Sequence, residues 1–442
     1  MNYSCFKKDI IRNISFVCDF SFKLFFYGFF VFSLFSLGFL FKTGDFNLNF
    51  FFNFYTGVFF HFSDLFFLIS LFFYGIVLVL KNRFYPHKFT IYLIIFVLSF
   101  FVFLFLFHPN IHFLFGLIRF LEIVSLFFLV FFKQINSNHL ISISLFFLFF
   151  NSIFGLYQFV TYHSIGFYVL GEPYLNREVS SLANIKIFST SFLRAYGLTP
   201  HPNILAFISI VGLLLVLYCW KTNIFLNKFF KNYFLSGILI LLSAVCFFSF
   251  SKSMIFVLMT LFFVGLYILL KSKTRYIILF FYFFGLLVLL YLLKDYLFSE
   301  NFNSRIFYLI ISLKMFFYNI FGVGFNNFTV EMSKYSEILI YPWYFQPVHN
   351  FYLLILNEFG IFVLFLPLYF VYFFRFKNRE RLLYFKKWRL KYVFLSLVFL
   401  FIISSFVDHY LFTSFQSQIL SVFLLSVLIK DFVEQKNLYI RL

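Results

Sequence analysis

Residues 341–360 read YPWYFQPVHNFYLLILNEFG. Pro342, Trp343, Gln346 and Pro347 form a polar, proline-rich approach to the His349-Asn350 pair, and an apolar run follows directly. A helix beginning at Asn350 turns its unpaired N–H groups and the positive end of its dipole toward the loop it leaves. A histidine at that end is well placed to handle protons beside a bound anion. The competing assignment is an interfacial cap on a membrane span. Either way, the stretch predicts an aqueous loop that enters the bilayer at about residue 351.

The composition agrees. The chain is 63% hydrophobic and 12% charged, and Phe supplies 89 of its 442 residues. A soluble domain of this size could not cover so much apolar surface, so the sequence predicts an all-α integral membrane protein. With 89 Phe residues and lipid to face, no single Phe stripe marks a cofactor box. Hydropathy places about twelve spans, at 24–41, 63–80, 89–107, 113–132, 140–160, 204–220, 233–250, 254–270, 276–293, 351–374, 392–407 and 415–430. The amino-terminal stretch carries Lys7, Lys8 and Arg12 without a small-residue cleavage site, which predicts that the first span is retained.

Charge orients the chain. Of the 35 Lys and Arg residues, 25 fall on predicted inner segments, 9 on outer ones, and Arg119 lies within a span. Both termini are therefore expected in the cytoplasm. The net charge of +19 is spread between spans, with Arg375–Lys391 as an orientation anchor, so nucleic acid is not an expected partner. Cys5, Cys18, Cys219 and Cys246 are scattered, which argues against a disulfide framework or a zinc cluster.

The whole chain, 1–442, reads as one polytopic domain with two long outer loops, 161–203 and 294–350. Long ordered loops in a compact protein are usually functional. In the second loop, Arg305–Tyr318 is too short and too charged to span. Ile306, Leu309, Ile310, Leu313 and Phe317 share one helical face, with Arg305, Tyr308, Ser312 and Asn319 on another, which predicts an interfacial amphipathic helix. Gly322 and Gly324 then make a turn.

The first outer loop ends at Arg194, His201, Pro202 and Asn203, and Pro202 suits the first turn of a span. Two helix N-termini thus open on one side, accompanied by Arg194, Arg305 and, in the turn Ser251-Lys252-Ser253, Lys252. Arginine forks and helix N-termini both suit phosphate oxygens. A membrane-embedded site for a phosphorylated lipid follows as a hypothesis, against simple headgroup binding by outer cations.

These residues also carry a resemblance. The chain resembles the O-antigen ligase and polymerase superfamily of bacterial membrane glycosyltransferases. An R-x-x-G-x-x-x-H-P-N-x-x-A pattern occurs at Arg194, Gly197, His201, Pro202, Asn203 and Ala206, and a G-x-G-x-x-x-F turn at Gly322, Gly324 and Phe328. His349 and Asn350, nine residues and Gly360 follow the ligase pattern, with Val363 in place of its last glycine. Ser251-Lys252-Ser253 is similar to an S-R-S turn with Lys for Arg, which forfeits a bidentate fork. Asp408-His409-Tyr410 resembles a motif at the outer end of a span. The likeness covers roughly 190–415 and leaves ligase against polymerase open.

The resemblance implies transfer of a glycan from a polyprenyl diphosphate carrier to an acceptor hydroxyl on a glycan, lipid or protein. It places the reaction at the outer face of the cytoplasmic membrane, with no metal or other cofactor. His349 would be the general base. Arg194, Arg305 and Lys252 would bind the diphosphate, and His201, Asn203, Asn350, Gly322, Gly324, Glu358, Asp408 and His409 would support them. Asp408 and His409 could orient substrate or His349, or mark an interface. Glu358, nine residues past His349, is a buried carboxylate whose partner the sequence does not name. Arg119 and Glu122, three apart, could neutralise each other. His108-Pro-Asn-Ile-His112 has H-x3-H spacing, yet a polar turn suits it better than zinc. The rival function is a transporter or flippase of the lipid-linked glycan. That reading expects internal repeats and deep ionisable residues in several spans, whereas here the candidates gather in two loops and no repeat is visible.

Overall fold

A computed structural model describes residues 3–35, 38–42, 55, 57–80, 109–176, 182–187, 190–222, 224, 228–269, 272–293, 300–337, 339–341, 344–364 and 388–441. The span expected at 89–107, the second half of that at 351–374, most of the basic stretch 375–391, Pro342, Trp343, His108 and Arg177 lie outside the described residues.

Helices dominate. In chain order they are α1 (Tyr3–Phe35), α2 (Phe62–Leu80), α3 (Ile111–Phe131), α4 (Ser137–Thr161), α5 (Pro202–Thr222), α6 (Lys228–Phe248), α7 (Lys252–Leu269), α8 (Ser272–Leu293) and α9 (Glu300–Tyr318). The short α10 (Phe328–Glu331), α11 (Phe351–Phe359), α12 (Lys391–Val407), the short α13 (Tyr410–Thr413) and α14 (Phe415–Arg441) complete the series. Two antiparallel hairpins are the only sheets among the described residues: β1 (Gly38–Lys42) with β2 (Val58–His61), and β3 (Asn184–Ile187) with β4 (Thr190–Leu193). Six of the described helices are long and apolar enough to cross a membrane, and α6, α7, α11 with its extension, and α12 contribute shorter apolar helices.

The first span differs from its expected bounds. The helix begins at Tyr3 and ends at Phe35, and residues 38–42 form a strand paired with β2 rather than helix. Burial singles out α5 as the central helix, with 83% of its apolar stretch inside the protein. The main core gathers α5, α14, α1, α4 and α12 through residues such as Phe30, Phe147, Phe207, Leu397 and Phe423.

Local chemistry fixes where the helices near the site begin. Pro202 opens α5, and Nδ1 of His201 accepts the N–H of Asn203 at 3.1 Å, so the histidine caps the helix. Asn350 caps α11 through its Oδ1, which accepts the N–H of Leu353 at 3.0 Å. The apolar run after Asn350 does not continue as one α-helix. Gly360 adopts φ +68° and ends α11, and a 3₁₀ segment, Gly360–Leu364, follows. A Cβ at Gly360 would sit 2.3 Å from the carbonyl carbon of Phe321, so only glycine allows this approach.

The amphipathic pattern of α9 is seen as drawn from the sequence. Ile306, Leu309, Ile310, Leu313 and Phe317 are exposed, while Tyr308 and Ser312 are buried beside Ile311 and Met315. Buried Asn357 on α11 ties the two helices by donating to Ser312 Oγ at 2.7 Å.

Candidate active site

His349 and Asp408 meet where the entrance to α11 packs beside the end of α12. His349 Nδ1 lies 3.2 Å from Asp408 Oδ1. A carboxylate only accepts, so Nδ1 carries the proton and Nε2 is left as the basic nitrogen on the far side of the ring. Asp408 also accepts the N–H of His409 at 3.0 Å. Burial would raise its pKa, but the hydrogen bond and charge of His349, with His409 and Arg305, outweigh that and hold it well below the usual carboxylate range.

The His409 ring lies tilted against that of His349 with centroids 5.2 Å apart, and its Nδ1 is 2.7 Å from Thr413 Oγ1. Its pKa is pushed down to about 3, first by burial and further by neighbouring positive groups, with Asp408 opposing. His201 behaves alike, pushed down to about 4 by burial and by Arg194. Both imidazoles are therefore neutral near pH 7. Tyr410 connects them to the centre: its hydroxyl is 3.3 Å from His201 Nδ1 and 3.5 Å from Asn203 Nδ2. Asn203 in turn reaches Asp408 Oδ2 at 3.4 Å.

Two arginines border this centre. Arg305 donates from Nη1 to the Val407 carbonyl at 3.0 Å, one residue from Asp408. Arg194 donates from Nε to the Ser249 carbonyl at 2.6 Å and from Nη2 to Asn203 Oδ1. With Asp408 ionised and His201 and His409 neutral, the two guanidiniums leave the cluster with an excess of positive charge, suited to an anion.

The structure thus joins Arg194, His201, Asn203, Arg305, His349, Asn350, Asp408 and His409, which the sequence spreads over more than two hundred residues. Asn350 belongs through its Nδ2, which donates to the Phe406 carbonyl at 3.3 Å. Lys252 is exposed at the start of α7, three residues beyond the carbonyl that holds Arg194. Gly322, Gly324 and Glu358 form a separate brace. Val323 and Gly324 donate their N–H groups to the carbonyls of Asn357 and Glu358, and Ile361 donates to Ile320. The unnamed partner of Glu358 is backbone: its Oε2 accepts the N–H of Asn326 at 2.7 Å. The brace fixes the far end of α11, whose near end presents His349.

Several residues had no signal in the sequence. Tyr55 packs edge-on to His409 at 5.6 Å, with its carbonyl held by Thr329 Oγ1 at 2.7 Å. Tyr308 sets its ring 6.1 Å from His349 and donates to the Tyr344 carbonyl. Asn151 and Gln158 on α4 hold the backbone of Leu198 and Gly197, each at 2.7 Å. Gly197 has φ +61°, and a Cβ there would meet Asn151 Oδ1 at 2.2 Å, which accounts for the glycine in the motif around Arg194. Arg119 answers to more than Glu122, since Asp64 of α2 joins it at 2.6 Å.

Ligand atoms of His349, Asp408 and His409 all lie within 4.8 Å of one another, a grouping that could hold a metal ion. The 3.2 Å contact of Asp408 with His349 Nδ1 is equally the geometry by which a carboxylate could orient an imidazole.

Residues 237–368 match the family model described as O-antigen ligase. The match supports membership of the chain in the O-antigen ligase superfamily. It likewise supports a ligase-like, glycan-transferring role and, together with the apolar helices, a multi-pass membrane protein. The matched segment contains Lys252, Arg305, His349 and Glu358. The geometry adds Arg194, His201, Asn203, Asp408 and His409 from outside it. No curated protein and no solved structure gives a match to the chain.

Proposed function

We propose that this O-antigen ligase superfamily member transfers a glycan from a polyprenyl diphosphate carrier to an acceptor hydroxyl, acting as a ligase or a polymerase. The protein crosses the cytoplasmic membrane about twelve times with both termini inside, and α9 lies in the outer interface with its exposed apolar face toward lipid. The observation that carries the reading is the His349–Asp408 contact of 3.2 Å beside an arginine that donates to the adjoining carbonyl.

In the reaction, Nε2 of His349 takes the acceptor hydroxyl proton while the acceptor oxygen bonds to the anomeric carbon. The bond from that carbon to the diphosphate oxygen breaks, and the lipid diphosphate leaves with the electron pair. Asp408 stabilises the imidazolium that forms. Arg305 and Arg194, assisted by Lys252, stabilise the charge developing on the leaving group. Nucleotide sugar has no part in this step, since the carrier already supplies an activated glycan.

The test is His349→Ala, purified and assayed both for binding of the lipid-linked donor and for transfer. Loss of a general base predicts about 10²–10⁴-fold less transfer with donor binding retained. Transfer per folded molecule within a few-fold of wild type would remove His349 as the base. Glycoconjugates from a deletion strain separate the two outcomes of the reaction: long unattached glycan indicates a ligase, single repeat units a polymerase.

A further inference from the structure

Three residues on one face of α4 are shaped for the turn that follows Arg194. Asn151, Gly155 and Gln158 recur at four- and three-residue intervals. Asn151 Oδ1 accepts the N–H of Leu198, and Gln158 Oε1 accepts that of Gly197, each at 2.7 Å. The Gln158 amide also returns a bond, donating from Nε2 to the Gly197 carbonyl at 3.1 Å. Gly155 stands between the two, where a Cβ would lie 3.5 Å from the Gly197 nitrogen and 3.1 Å from the Leu205 side chain. Ala195, Leu198, Asn151 and Gln158 are each at most 1% exposed. Non-helical backbone buried this deeply cannot reach water, so it needs side-chain partners.

Glu172, from the first outer loop, holds the amide from the other side. Its Oε1 accepts from Gln158 Nε2 at 2.9 Å and from the N–H of Ile165 at 2.7 Å. Its Oε2 accepts the N–H groups of Gly166 at 2.9 Å and Phe167 at 2.7 Å. Four donors thus fill the four acceptor sites of one carboxylate. The loop pins Glu172, and Glu172 pins Gln158. The clamped glycine lies three residues after Arg194 and four before His201. Arg194 donates to Asn203, which reaches Asp408 Oδ2 at 3.4 Å. Among the described residues no hydrogen bond joins Gln158 or Glu172 to Arg194 itself, so both act on the guanidinium through the turn.

We propose that Gln158 and Glu172 are positioning residues for glycan transfer; the inference rests on the glycan-transfer reading. Glu172 fixes the Gln158 amide, the amide fixes both backbone groups of Gly197, and the turn sets the Arg194 guanidinium where the diphosphate meets it. A relay of this kind has a signature that general packing lacks: its effect on anion binding passes through Arg194 and through no other group.

The full-length chain in lipid nanodiscs, with inorganic diphosphate as the probe, is the material for the test. Its Kd should be compared in wild type, Gln158→Ala, Arg194→Ala and the double variant. Gln158→Ala should weaken diphosphate about tenfold, the effect of disturbing one charge-assisted hydrogen bond. In the Arg194→Ala background the same change should weaken it no further. Kd belongs to the folded molecules, so a variant that is merely less stable would keep the wild-type value. Wild-type affinity in Gln158→Ala, or the same factor in both backgrounds, would overturn the proposal. If Gln158→Ala does not accumulate, Glu172→Gln, in the loop outside the span, carries the same comparison with the same expected direction. The Glu172 link has its own check. Gln158→Glu sets two carboxylates face to face and should bind diphosphate more weakly still, and adding Glu172→Gln restores a donor and should recover part of the affinity. No recovery would remove Glu172 from the relay. Equal factors in a chain that binds diphosphate leave glycan transfer standing, whereas a wild-type chain that binds none would refute the carrier reading and the positioning role together.

Discussion

His349 and Asp408 are 59 positions apart in the chain and 3.2 Å apart in space. The contact joins the loop entering α11 to the residue that ends α12, so the orientation of the imidazole depends on how two helices pack. Asp408→Asn keeps the shape and removes the charge that selects the Nδ1–H tautomer and stabilises imidazolium. Transfer should fall by about 10²-fold or more. Binding of inorganic diphosphate should hold or tighten, since an anion has left the site. Equal losses of transfer and of diphosphate binding would instead mean that Asp408 only supports the fold.

Arg305 separates charge from geometry. Arg305→Ala should lose transfer while inserting normally. Arg305→Lys should recover only part of it, because an ammonium cannot hold the Val407 carbonyl and a phosphate with one planar fork. Activity assays on membranes with matched protein levels decide this, and full activity in the alanine variant would move the diphosphate toward Lys252.

Acid should loosen the site. His201 and His409 have native pKa values lowered to about 4 and about 3 by burial, so the unfolded chain binds more protons once the pH falls below about 6.5. Asp408 is depressed as well, and its contribution, present above the unfolded carboxylate value, fades as the pH drops through its native one. Both effects have the same sign. Thermal unfolding in detergent should shift downward from pH 7 to pH 4, and His409→Gln should flatten the slope. A wild-type midpoint that rises on acidification would contradict the assignment of these groups as buried and neutral.

The sequence revealed helices and candidate residues far better than it revealed their connections. Periodicity located α9 and divided its faces correctly because exposed and buried positions follow the turn of one helix. The motif residues near 194–206, at 349–350 and at 408–410 stood out because His, Arg and Asp are conspicuous at the ends of apolar runs. Tyr55 did not, since one tyrosine among 30 becomes distinctive only when the chain brings it against His409. The end of α11 was missed for a related reason. Hydropathy continues through Gly360, whereas the backbone turns there to let residues 320–324 approach, and window hydropathy is blind to a backbone turn. Glu358 looked functional because a buried carboxylate in an apolar run suggests chemistry, and its backbone partner lies in a turn more than thirty residues earlier.

Glu358 therefore supplies the last discriminating experiment. Its Oε2 accepts the Asn326 N–H at 2.7 Å, and the backbone of Phe328 is a second hydrogen-bond partner. No catalytic side chain is among these partners. Glutamine retains an acceptor of the same reach, so Glu358→Gln should leave transfer within a few-fold of wild type and shift stability little. Leucine fills similar space with no acceptor and takes it from the N–H groups of both Asn326 and Phe328, and a buried donor left unsatisfied costs about 1–3 kcal/mol. Glu358→Leu should accordingly lower the unfolding midpoint and reduce transfer only through lost folded protein or a shifted α11. A Glu358→Gln protein that folds normally but transfers hundreds of times more slowly would return the carboxylate to the chemistry, as a proton carrier rather than a brace.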